Sequence, residues 1–351
     1  MRSKVALFLG IFSVMALSNA IVPVLPSFAS RSSWTGAIYA AYFLGAFVST
    51  LPAGILSDRF GRITLMRAGL FVTVSSGAVL CLPGSAPVTV AARFAEGIGA
   101  GLFVAPAMAV VNRETEHEKM SGYFLALLNA GLVLGLIAAG VLAALSGLPA
   151  AGILLFTVLA VFPALTSLFI RAPSSPPAGF DVATSRDLLR KFRWVLYSSV
   201  VLIGITGVAI SLYPKYSALP ADAVGFWIAG MSLATIVSVL VVSRFPIDDI
   251  GIIRISSVLM AAGIVLVAVS PVALLVLGAV AGLVMIAQMA LLSEIREQQG
   301  VAMGLFSTSS YLGMAVLPFL AGLVADVSGM VAAFALSAVL SLTVTLTIGR
   351  K

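Results

Sequence analysis

The chain has 351 residues, 61% of them hydrophobic and only 9% charged, and its mean hydropathy is +1.16. Soluble domains are about 25% charged, and a soluble fold of this composition would turn a greasy face to water, so a water-soluble enzyme or binding module is excluded and a bilayer is required as solvent. The formal net charge of +7 would raise nucleic-acid binding in a soluble chain, but the basic residues stand singly or in small groups between apolar runs, where they read as topology determinants, with no nucleic-acid partner expected.

In lipid every backbone polar group must be paired internally, which leaves helices or a closed barrel. A barrel needs short alternating segments; the runs here are long and continuous, so helices are expected, each of ~20 residues. In chain order the predicted spans are 5–25, 34–56, 65–83, 87–111, 121–145 and 148–170, then a polar linker over 171–193, then 194–214, 222–243, 252–270, 272–292, 302–325 and 329–349. The expected domains are 1–170 and 194–351, each of six spans. Pro26, Pro83, Gly147, Pro149, Pro220 and Pro271 fall between spans, where helix breakers belong. The start resembles a secretory signal, with Arg2 and Lys4 before an apolar run and Ser18-Asn19-Ala20 after it. The run continues through Ile21, Val22 and Val24, so it reads as an uncleaved first span.

Charge tests this parse. With the N-terminus inside, Arg31 and Lys215 fall in outer segments and Arg93 within the membrane, while every other Lys and Arg falls on the inner side. That is the positive-inside pattern with both termini cytoplasmic. The two halves also repeat. An offset of 182 residues lays Gly122 on Gly304, Phe124 on Phe306, Gly131 on Gly313, Gly140 on Gly322 and Ser146-Gly147 on Ser328-Gly329. Two repeated halves are one known transporter plan, with the substrate site at mid-membrane between them.

Three segments carry chemistry. Between the second and third spans stands Gly54-Ile-Leu-Ser-Asp58-Arg59-Phe-Gly61-Arg62. Gly61 permits a tight reversal, and Asp58 at a helix end can pair with arginines or with a helix N-terminus, latching the inner side shut. In the fourth span Arg93-Phe-Ala-Glu96-Gly97-Ile-Gly99-Ala-Gly101 sets two charges one turn apart on one face. A charge at mid-membrane costs ~2.5–3.5 kcal/mol on insertion scales, so such groups face a partner or a cavity. Two readings stand: Glu96 carries a proton while Arg93 pairs alternately with it or with substrate, or the two form a static pair that fixes packing. The glycines suit close helix packing rather than a nucleotide loop, which would follow a strand. In the fifth span Gly131-Leu-Val-Leu-Gly135-Leu136-Ile-Ala-Ala139-Gly140 is matched in the eleventh by Gly313, Pro318 and Gly322, a helix-packing pattern.

The first of these segments resembles the signature that the major facilitator superfamily carries between its second and third helices. The second is similar to another motif of that superfamily, and the third to its exporter-associated fifth-helix motif, with Leu136 in place of the proline and Ala139 in place of a glycine. The resemblance covers the whole chain, although Ser243-Arg244-Phe245 after the eighth span is a poor copy of the first-half signature. It implies an all-α integral membrane protein of twelve helices in two six-helix bundles, a monomer of the drug:proton antiporter-like branch, exporting small amphipathic compounds by alternating access on the proton gradient, with no cofactor.

Further polar residues inside spans, Asn19, Asn129, Thr206, Gln288, Ser310 and Tyr311, are candidates for the path, each with the alternative of bonding its own helix backbone. Tyr39, Tyr42 and Phe103 are candidate aromatic walls. The few fixed charges favour an apolar, amphipathic or weakly charged solute. An uptake carrier of the same fold and a non-transporting sensor are the competing readings. No Gly-x-x-x-x-Gly-Lys-Ser/Thr loop occurs, which argues against an ATP-driven pump. The single cysteine, Cys81, and the single histidine, His117, offer no metal set.

Overall fold

Proline and glycine mark several helix ends, although Pro52, Pro106, Pro163, Pro214 and Pro318 lie inside helices. The protein's structure, a computed structural model, describes residues 2–111, 116–170, 189–245, 248–293 and 299–349, with side chains except at 2–5, 51, 54–55, 58–59, 117–118, 293 and 299–301. Helix α1 (Arg2–Ala20) gives way to a 3-10 turn over Val22–Ser27, because Pro23 and Pro26 bring no N–H to an α-helical ladder. The first predicted span is therefore an α-helix with a tighter end. Then follow α2 (Ser32–Phe60), α3 (Arg62–Leu80), α4 (Ala86–Val111), α5 (His117–Ser146), α6 (Ala151–Ser167), α7 (Arg193–Tyr216), α8 (Ala221–Val242), α9 (Asp249–Leu266), α10 (Val272–Ser293), α11 (Gln299–Ser328) and α12 (Met330–Thr347). Gly147 ends α5 at φ 68° and Gly329 separates α11 from α12 at φ 87°, conformations that only glycine adopts at low cost. Most of the predicted linker, 171–188, lies outside the described residues.

Among the described residues ten helices are long and apolar enough to cross a membrane. The exposed faces are apolar: Leu154, Val158, Phe162 and Leu165 form one outward stripe along α6, as expected of a helix that borders lipid.

The described helices gather into two compact units. One comprises Met1–Phe28, Ala41–Phe180 and Leu219–Phe226; the other comprises Ala29–Ala40, Asp181–Ala218 and Trp227–Lys351. The first turns of α2 thus belong to the second unit, and the first turns of α8 to the first. In the first unit α1 packs on α5 and α6, α3 on α4 and α6, and α5 on α6. In the second, α7 packs on α11 and α12, α9 on α10 and α12, and α11 on α12. Each pairing recurs six helices later, so the sequence repeat is also a repeat of packing.

Lipid tails are as apolar as leucine, so close packing of small residues, rather than hydrophobicity, joins helices here. A Cβ at Gly131 would lie 2.5 Å from the Phe12 carbonyl oxygen of α1, and one at Gly313 would lie 2.1 Å from the Val200 oxygen of α7. The core of the first unit is filled by Ile11, Leu70, Phe103 and Phe124, all essentially sealed. At two helix ends an arginine ties the last turn down. The Arg67 Nη2 of α3 donates to the Ser167 and Ile170 carbonyls at 2.9 and 3.2 Å. The Arg254 Nη2 of α9 donates to the Ile348 carbonyl at 3.1 Å. Carbonyls at a helix's C-terminal end lack the next turn's amides; the Ser167 oxygen also accepts from the Ile170 amide at 3.2 Å, and a cation there meets the negative end of the helix dipole.

Candidate coupling and substrate site

Glycine builds the site around α4. A Cβ at Gly97 would lie 1.9 Å from the Tyr42 carbonyl oxygen, and one at Gly45 would lie 2.1 Å from the Phe94 oxygen, so α2 and α4 touch backbone to backbone. On another side of α4, a Cβ at Gly99 would meet Gly69 and Thr73 of α3 within 2.9 Å. The glycines of the Arg93–Gly101 segment therefore clamp α4 between two neighbours and fix which side chains lie over Arg93.

Within this clamp the Arg93 Nη1 donates to the Glu96 Oε2 at 2.6 Å, and the two side chains are 1% and 0% exposed. The Arg93 guanidinium carbon lies 4.7 Å from the Tyr42 ring centre, a cation–π distance. Tyr42 is itself held edge-on by Phe43 at 5.1 Å. The charges cancel, but their hydrogen-bonding capacity is not filled: Arg93 Nε and Glu96 Oε1 have no partner. A buried pair of this kind is a weak source of net stability, yet removing one member strands the other charge. Glu96 Oε1 is chemically able to take a proton, and the guanidinium is able to exchange its carboxylate for another acceptor.

The other candidates divide between the two units. In the first, Asn19 Nδ2 donates to the Leu132 carbonyl of α5 at 3.0 Å. Asn129 Nδ2 donates at 2.8 Å to the Leu125 carbonyl of its own helix, the local bond that polar side chains in helices often make. In the second, Gln288 is sealed, with Nε2 donating to the Ser198 Oγ at 2.8 Å and Oε1 left without a partner. Tyr311 is half-buried on α11, next to Ser310, whose hydroxyl pairs with Ser199 at 3.1 Å. Thr206 and Tyr39 both direct hydroxyls at the Met314 sulfur, at 3.9 and 4.0 Å.

In the turn between α2 and α3, Gly61 takes φ 89° and ψ 134°, a backbone that a side chain would strain. Arg62 Nη1 donates to the Ala109 carbonyl near the end of α4 at 2.7 Å. The side chains at Asp58 and Arg59, and the side-chain position of Gly54, lie outside the described residues. The helix-packing residues all sit at close approaches. A Cβ at Gly135 would be 2.3 Å from the Ala16 oxygen, one at Gly140 would be 2.5 Å from the Ala221 oxygen, and one at Gly322 would be 2.6 Å from the Ser32 oxygen. The Pro318 carbonyl oxygen would lie 2.3 Å from a Cβ at Gly36.

Sequence reasoning missed Asp326, whose carboxylate accepts hydrogen bonds from the Ser32 and Ser33 amides at 2.7 and 3.0 Å. It also gave no role to Lys215, whose Nζ donates to the Ser30 carbonyl. The available signal was a lone acid beside the Ser328-Gly329 turn, at the edge of an otherwise uncharged span.

A sequence model of the Major Facilitator Superfamily matches residues 7–316. The chain is 24% identical over 344 residues to Multidrug resistance protein 2 of Bacillus subtilis, covering 88% of this chain and 85% of that protein. It is 26% identical over 244 residues to the Quinolone resistance protein NorA of Staphylococcus aureus, covering 65% of this chain and 61% of that one. A third match, 32% over 127 residues to the Probable anion transporter 6 of Arabidopsis thaliana, covers 35% of this chain and a quarter (25%) of that protein's length. Among solved structures, the nucleoside transporter NupG superposes with a TM-score of 0.79 at 12% identity over 100% of this chain and 99% of its own. The human organic anion transporter MFSD10 superposes with 0.70 at 18% identity over 99% of each; at such identities the likeness is one of fold. With the family model spanning most of the chain and the fold shared end to end, this chain belongs to the Major Facilitator Superfamily and is a multi-pass membrane protein.

Proposed function

We propose that the protein exports small amphipathic compounds across the cytoplasmic membrane in exchange for protons, as a monomer with twelve spans in two six-helix bundles and both termini in the cytoplasm. The proton gradient is its energy source, and it works by alternating access. The observation that carries this reading is the sealed Arg93–Glu96 pair, the charge centre of α4, with one unfilled acceptor on the carboxylate. An intramembrane ionisable pair of this kind is a proton-relay candidate by default. Protonation of Glu96 would release Arg93, and its return would reset the pair. The resistance proteins among the relatives support the export direction, and the scarcity of fixed charge along the spans suits an amphipathic solute.

A second reading, uptake of a metabolite, is favoured by one observation: the solved structures of similar fold include nucleoside and peptide transporters. A membrane sensor that no longer transports is a third, and it predicts no gradient-dependent flux in any assay.

The test is accumulation of a lipophilic cationic dye in inside-out vesicles with and without a pH gradient, for the wild type and for Glu96→Gln. Gradient-driven accumulation that the substitution abolishes, in vesicles carrying equal amounts of folded wild-type and variant protein, supports the proposal. Full gradient-driven accumulation by Glu96→Gln removes Glu96 from the coupling step. No accumulation by either protein discards the cationic-dye exporter and turns the search to uptake substrates.

A further inference from the structure

The start of α2 is held by groups that the mechanism above does not use. Its first amides, like those of any helix, have no partner within the helix. Asp326, two residues before the end of α11, supplies one: its two carboxylate oxygens accept from the Ser32 and Ser33 amides at 2.7 and 3.0 Å. A carboxylate at a helix N-terminus gains both charge-assisted hydrogen bonds and the favourable end of the dipole. Lys215, in the last turn of α7, ties down the preceding loop through the Ser30 carbonyl. Beneath these bonds the helices are in backbone contact, at Gly322 against Ser32 and at Gly36 against Pro318. Together they hold Ala29–Ala40 in the second unit, although the rest of α2 belongs to the first.

The repeat supplies an internal control. The start of α8 docks on α5 in the same manner, at Gly140 against Ala221 and at Gly225 against Leu136. There the residue 182 positions before Asp326 is Ala144, and α5 offers no carboxylate at that place. Packing alone thus suffices for one docked segment, and the other has a charged tie added. The tie lies at the edge, with Asp326 exposed, so water can take over its bonds when they part. Asp58 has the same place in α2, two residues before its end, that Asp326 has in α11.

Resting on the alternating-access reading above, we propose that Asp326 is an outer latch, whose carboxylate holds the first turns of α2 against α7 and α11 in one state of the cycle and lets go in the other. The test is access to a thiol placed under the latch. Tyr39 is 2% exposed and faces Met314 and Gly207. Tyr39→Cys in a Cys81→Ser background would be labelled with a membrane-impermeant maleimide on intact cells and on inverted vesicles. With Asp326→Ala added, labelling from the cell exterior should speed up on the order of ten-fold, the effect of losing a charge-assisted hydrogen bond, while Asp326→Glu should stay near the parent rate. Equal rates for Asp326→Ala and its parent would overturn the latch. If the alanine variant does not reach the membrane, Asp326→Asn, which keeps the size and loses the charge, is measured instead; acceleration supports the latch and an unchanged rate overturns it. The assay reads exposure rather than flux, so its result stands apart from whether protons or dyes are transported.

Discussion

Arg93 and Glu96 face one another one helical turn apart on α4, Nη1 to Oε2 at 2.6 Å, and each keeps one polar atom without a partner. Opposite charges sealed from water are strongly interdependent, because either alone is an uncompensated buried ion. Arg93→Gln or Glu96→Gln should each lower stability by about 3–5 kcal/mol. The double variant should recover a large part of that loss. Thermal unfolding of the four proteins in one detergent measures this cycle, and additive losses would mean that the two charges are not coupled.

The glycines of α4 give a prediction with a built-in contrast. At Gly97 a methyl group would sit 1.9 Å from the backbone oxygen of Tyr42, so Gly97→Ala must part α2 from α4 and should cost about 1–3 kcal/mol or more. It should also move Tyr42 off Arg93. Gly122 and its repeat counterpart Gly304 have nothing within 4 Å of the same position. There Ala should be neutral or should stabilise by up to about 1 kcal/mol, through helix propensity alone. Melting temperatures of the three variants decide it, and a neutral Gly97→Ala would contradict the packed α2–α4 contact.

Arg67 and Arg254 make the same bond in the two halves, each from its half's third helix to the C-terminal end of the sixth. Hydrogen bonds to charged groups contribute about 1.5–3 kcal/mol, so Arg67→Met and Arg254→Met should each lower stability by an amount at or below that range. Hydrogen exchange should show the loss first in the last turns of α6 for one and of α12 for the other. Loss spread evenly over all helices would refute the local anchoring.

The helices, their order and the repeat of packing were legible in the sequence because a bilayer asks for a long apolar run in every segment, and glycine pairs at a fixed offset betray the copied contacts. Arg93 and Glu96 were legible because charges within a span are costly enough to stand out. The place of Tyr42 over Arg93 was not, since it follows from how Gly45 and Gly97 bring α2 against α4. The sequence left Asn129 and Asn19 the same two alternatives; in the structure Asn129 bonds its own helix, whereas Asn19 joins α1 to α5. Asp326 fell one residue beyond the predicted eleventh span, where an acid reads as a solvated turn residue. Its partners are 294 and 293 residues away in sequence, and no local pattern points to them.

Gln288 separates structure from transport most cleanly. It is sealed in the second unit, its amide nitrogen donates to Ser198, and its Oε1 is unpaired. Ser198 has a second bond, Oγ donating to the Val195 carbonyl at 2.6 Å, so it is not orphaned when Gln288 is lost. Gln288→Met keeps the volume and removes both the made bond and the stranded oxygen, each worth about 1 kcal/mol with opposite signs. Stability should therefore stay within about 1 kcal/mol of the wild type. If Oε1 is an acceptor for substrate, the same variant should raise the half-saturating solute concentration while its melting temperature holds. Unchanged transport with unchanged stability would remove Gln288 from the path, and a large loss of stability would make it a structural residue.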